Sequence, residues 1–81
     1  MDYRQQLLAV ADEFARATDR SIARVSTMVR NDGKFLDGLR RGRGCTMDTF
    51  NAAMQWFSDN WPASATWPEA VSRPPRRGEA A

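Results

Sequence analysis

Apolar residues recur every three or four positions through most of the chain, and the pattern predicts four helices. From Tyr3 to Ala17 nothing breaks a helix: Tyr3, Leu7, Val10 or Ala11, and Phe14 line one face that runs on to Thr18, with Leu8, Ala11 and Ala15 beside it. Thr18, Asp19, Arg20 and Ser21 interrupt that pattern with side chains that bond their own backbone, and Asp19 or Ser21 can accept from the free amides of a new helix. The second helix, Ser21 to Arg30, carries Ile22, Val25, Met28 and Val29 inward. Arg20, Ala23, Arg24, Ser26, Thr27 and Arg30 are then expected outward. Asn31-Asp32-Gly33 is turn chemistry. A short third helix follows from Lys34 to Arg41, with Phe35, Leu36 and Leu39 at helical spacing and Gly42 as its stop. Thr46 can cap a fourth, in which Met47, Phe50, Met54, Phe57 and Trp61 form a seam that ends before Pro62. Trp56 lies off the seam beside Ala52, Ala53 and Asn60.

With 81 residues, 42% hydrophobic and 27% charged, the chain is expected to be one small all-α domain. Its boundaries are residues 1–62, a compact four-helix arrangement, followed by a Pro-, Ala- and Arg-rich tail over 63–81 with no sustained periodicity. That tail is expected to be flexible. Trp67-Pro68 can fold back, and Arg73-Pro74-Pro75-Arg76-Arg77 can contact phosphates or adopt an extended polyproline conformation. A domain this small buries only about 60% of its unfolded surface, so a partner subunit would help it. Trp56, Trp61 and Trp67 are the candidate dimer contacts, because aromatic anchors dominate interfaces. A lone Cys45 rules out an internal disulfide framework, and the N-terminal MDYRQQ leads straight into an amphipathic helix rather than an apolar leader. The expected location is the cytoplasm, in association with the nucleoid, with no membrane partner.

The formal net charge of +2 is modest, but its distribution is not. Arg16, Arg20, Arg24, Arg30, Lys34, Arg40, Arg41 and Arg43 face only Asp19, Asp32 and Asp37 within the same stretch. A basic middle in an otherwise mildly acidic chain is the footprint of local phosphate contact. Within it, Ala15 inside one helix, Asp19 at the turn, then Ser21 and Val25-Ser26 make a pattern that resembles the helix-turn-helix of lambda-repressor-like and Lac-repressor-headpiece-like DNA-binding proteins, which include small phage and bacterial regulators. The resemblance covers about a quarter of the chain by the motif's usual span. It departs at Asp19, where the family usually has glycine, and at Arg20, where it usually has an aliphatic residue.

Chemistry of other kinds is thin. There is no histidine, and Cys45 has no neighbouring thiol, so no metal, cofactor or small-molecule ligand is expected. Arginines near Cys45 would lower its pKa, but it has no base to act with. No enzyme is expected. The resemblance implies a sequence-specific double-stranded DNA-binding regulator of transcription, a repressor acting as a homodimer on an inverted repeat. Residues 21–30 would be its recognition helix. Ser21, Ala23, Ser26, Thr27 and Arg30 are the candidates to face bases, and Arg20, Arg24, Lys34, Arg40 and Arg41 to reach phosphates. The alternative is a protein-interaction module, an antitoxin or adaptor, that binds a protein partner through its Trp-rich C-terminal helix and tail.

Overall fold

The computed structural model describes residues 1–77. They form four helices, α1 (Tyr3–Thr18), α2 (Ile22–Arg30), α3 (Phe35–Arg40) and α4 (Met47–Asp59), and the described residues contain no strand. Each boundary has a local cause. The Asp2 carboxylate accepts from the Gln5 N–H while the Gln5 side chain accepts from the Asp2 N–H, a reciprocal cap on α1. At the other end Asp19 is left-handed, with φ 54°, and the Arg20 N–H donates back to the Ala15 carbonyl at 3.0 Å. The aspartate thus takes the backbone conformation that a glycine would take there, at the small cost its short polar side chain allows. Ser21 caps α2 by accepting from the Arg24 N–H at 3.1 Å, and Asn31 closes it with a second left-handed residue, φ 57°. Asp32 accepts from the Lys34 N–H, and Thr46 caps α4 by accepting from the Thr49 N–H.

The core is the predicted one in outline. Leu7, Val10, Ala11 and Phe14 of α1 meet Val25 of α2, Leu36 and Leu39 of α3, and Ala53, Met54 and Phe57 of α4. Phe14 lies at its centre, edge-on to Trp56 and Phe57 at 5.4 Å each and tilted against Trp61 at 6.1 Å. The seam of α4 is buried only in its second half: Phe50 is half-buried against Tyr3, and Met47 is 52% exposed. The helix also stops at Asp59, so Trp61 enters the core from the loop beyond it.

Ser26 is fully buried, not outward. It lies one residue after Val25 on the inward side of α2, where its hydroxyl donates to the Asp32 carbonyl at 2.6 Å and accepts from the Leu36 N–H at 3.0 Å. A serine here ties the α2–α3 turn to the helix before it. Ser26→Ala leaves both backbone groups without that partner, and an unfolding free energy lower by about 1–3 kcal/mol is expected in urea titration. The Leu36 amide should exchange faster with solvent in the same variant.

The tail has more structure than its composition suggests. Residues 63–77 lie back on α4, with Trp67-Pro68 folded back as the sequence allows, and residues 78–81 lie outside the described residues. Trp61 and Trp67 rings sit 4.8 Å apart, their indole N–H groups donating to the carbonyls of Ala65 and Val71, and Val71 is buried. The arginines of the tail close the C-terminal end of α4. Arg73 and Arg76 both donate to the Ser58 carbonyl, Arg76 also to that of Trp61, and Arg77 pairs with Asp59 at 3.0 Å. These cations meet the negative pole of the helix, where its last carbonyls lack partners. The Asp59 carboxyl is held below its usual range, first by the Arg77 backbone N–H and further by Gln55 and the Arg77 side chain.

Candidate nucleic-acid interface

The caps and the buried Val25–Ser26 pair fix how α2 is rotated, and that rotation decides which of its side chains reach solvent. Ser21, Ala23, Arg24, Thr27 and Arg30 are exposed, and with Arg20 before the helix they make one stripe at helical spacing. Four of the five base-facing candidates therefore stand on one open face, and Ser26 does not. Two of the four are partly engaged. The Ser21 hydroxyl is spent on the cap, and Thr27 donates to the Ala23 carbonyl at 3.1 Å. Arg30 ends the stripe with its guanidinium 5.9 Å from the Phe35 ring centre.

The phosphate candidates divide by what already holds them. Arg20, Arg24 and Lys34 make no ion pair among the described residues, whereas Arg40 pairs with Asp12 at 2.6 Å and Arg41 with Asp37 at 2.8 Å. Both pairs are half-exposed or more. Such pairs contribute about 0–1 kcal/mol, so an incoming phosphate can displace either carboxylate at little cost. Arg43, part of the basic middle though not singled out with the five phosphate candidates, is exposed and also unpaired among the described residues. Its place near Lys34 is set by the α3–α4 loop, where Gly42 takes φ 102° and the Arg43 N–H donates to the Gly38 carbonyl at 2.9 Å.

Between the end of α2, α3 and the start of α4 lies a cleft of about 330 Å³, whose charged lining is Arg30, Lys34, Arg43 and Asp32. Cys45 lines it too. Burial pushes its thiol above the ordinary range, with the Arg30 charge pulling the other way, so the lowering expected from nearby arginines is outweighed. Of the tryptophans offered as dimer contacts, Trp61 is sunk in the core, and Trp56 and Trp67 are half-buried against Phe14 and Trp61. Among the described residues, the large exposed apolar side chains are Met1 and Met47. No helix among the described residues is long and apolar enough to cross a membrane.

No protein-family model, curated protein or solved structure matches the chain. The functional reading therefore rests on the surface itself.

Proposed function

We propose that the protein binds double-stranded DNA, laying the exposed face of α2 into the major groove, and that it acts as a homodimeric repressor on an inverted repeat. The observation that carries this reading is the open stripe Arg20, Ala23, Arg24, Thr27 and Arg30, small or cationic along its length and free of bulky apolar side chains. Small residues admit the helix to the groove, and arginine can grip guanine or phosphate in two places at once. The helix before α2 ends in a left-handed residue and a tight turn, the geometry a helix-turn-helix requires of that position. The reading as a protein-interaction module needs a tryptophan-rich surface, whereas Trp61 and Trp67 are spent on the chain's own tail and Trp56 packs against Phe14 and Phe57.

Selection from random-sequence duplexes tests the proposal. Enrichment of an inverted repeat is expected, its half-sites about one helical turn, or roughly 34 Å, apart. Arg30→Ala should weaken binding to the selected site by about 1–3 kcal/mol and relax the sequence preference at one position in each half-site. Salt-sensitive binding with no enriched sequence would replace the repressor by a nonspecific DNA-coating role.

A further inference from the structure

The cleft at the junction of α2, α3 and α4 is built differently from the α2 stripe. Three cations, Arg30, Lys34 and Arg43, line it against one carboxylate, Asp32. Asp32 already accepts from the Lys34 backbone N–H, and none of the three cations makes an ion pair among the described residues. Arginines immediately beside the cleft are treated otherwise, since Arg40 and Arg41 each have a carboxylate. An unneutralised trio in a concave site raises the local concentration of anions, because low-dielectric walls focus the field.

The shape speaks for a polymer rather than a small anion. The cleft shares Lys34, Gly38 and Arg43 with a neighbouring depression of about 360 Å³ that continues past Asp37 to Arg41. Together they line a trough that runs from Arg30 to Arg41. Gly38 lies on both parts, and the stem of Arg43 lies across it, its Cδ 3.2 Å from where a glycine Cβ would stand. A side chain at residue 38 would push that stem aside, so the glycine is what lets Arg43 lie across α3. Arg30 joins the trough to the stripe of α2, so a strand whose groove faces α2 would carry its sugar-phosphate backbone past Lys34 and Arg43.

We infer that this trough holds backbone phosphates of the bound duplex, with Lys34 and Arg43 as the phosphate contacts and Cys45 beneath the bound strand. This rests on the DNA-binding reading and adds Arg43 to it. Phosphate contacts fix register and carry no sequence information. The trough therefore sets how far along the groove α2 lies, and the side chains of α2 do the reading.

The test uses the full chain and the duplex enriched by selection, with Lys34→Met and Arg43→Met combined. Methionine keeps an apolar stem over Gly38 while removing the charge. Circular dichroism and urea titration confirm that the double variant is folded. Its binding should fall at least tenfold at moderate salt, the slope of log affinity against log salt should shrink by about 2, and the selected sequence should stay the same. In the wild-type complex, alkylation of Cys45 by iodoacetamide should slow at least several-fold. An unchanged slope, or a Cys45 that reacts equally fast in the complex, overturns the trough assignment while wild-type binding keeps the DNA reading intact. If the wild-type chain binds no duplex, the DNA reading fails and the trough assignment fails with it.

Discussion

Phe14→Ala is expected to lower the unfolding free energy by about 3–5 kcal/mol, the usual range for removing a buried aromatic ring. The residue is 2% exposed, and its ring touches three others, Trp56, Phe57 and Trp61. Those rings come from α4 and from the loop after it, so the cavity would open where α1, α4 and the returning tail meet. A small domain has only about 5–15 kcal/mol to lose, and one substitution would remove a large part of it. Urea titration followed by tryptophan fluorescence reads the effect directly, because two of the reporters lie against the deleted ring. Met47→Ala is the contrast. Met47 begins the same apolar seam of α4 but stands 52% exposed, and its loss should change stability by less than about 0.5 kcal/mol. Equal losses in the two variants would mean that the seam, and not the Phe14 cluster, organises the core.

The helices and most of this core were legible because they follow a local rule. Helical periodicity needs only neighbours three or four positions away, and Leu7, Val10, Phe14, Val25, Leu36, Leu39, Met54 and Phe57 obey it. Ser26 obeys it as well, being four residues after Ile22 and three before Val29, but its polar side chain reads as outward. Its partners, the backbone groups of Asp32 and Leu36, exist only once the next turn has formed. Beyond the fold-back open to Trp67-Pro68, the packing of the tail was illegible for a related reason. It uses indole N–H groups on carbonyls four residues ahead and guanidinia that reach 15 to 18 residues back to Ser58 and Trp61, contacts with the backbone that no apolar period reports. The candidate site shows the same division. The exposed stripe of α2 could be read from spacing, whereas the pairing of Arg40 with Asp12 spans 28 residues. The cleft needs three separate elements to bring Arg30, Lys34 and Arg43 together.

A chain ending at Trp61 should be less stable than the full chain by about 2–4 kcal/mol, although the described residues it removes, 62–77, contain no helix. The gross loss is larger. Burying Val71 accounts for about 1.5–3 kcal/mol and the contact of Trp61 with Trp67 for about 0.5–1.5 kcal/mol. The carbonyls of Ser58 and Trp61 also lose their guanidinium donors. Against this, freeing residues 63–77 returns conformational entropy, so the net effect is smaller than the lost contacts alone. The chain is spared part of that cost because Pro68, Pro74 and Pro75 are already restricted before folding. Equilibrium urea titration of the two lengths measures the difference, and sedimentation shows what the uncovered surface then does. Truncation exposes Trp61 next to Phe57 and Phe14, an apolar patch that a second copy can cover, so the shortened chain is expected to self-associate more than the full one. Arg73→Ala with Arg76→Ala separates the two effects. It removes the cap on α4 but leaves Val71 and Trp67 to cover the core, and it should cost stability without inducing association. If the shortened chain were as stable as the full one, residues 63–77 would be a loose extension after all, and the tryptophans would again be available to a partner.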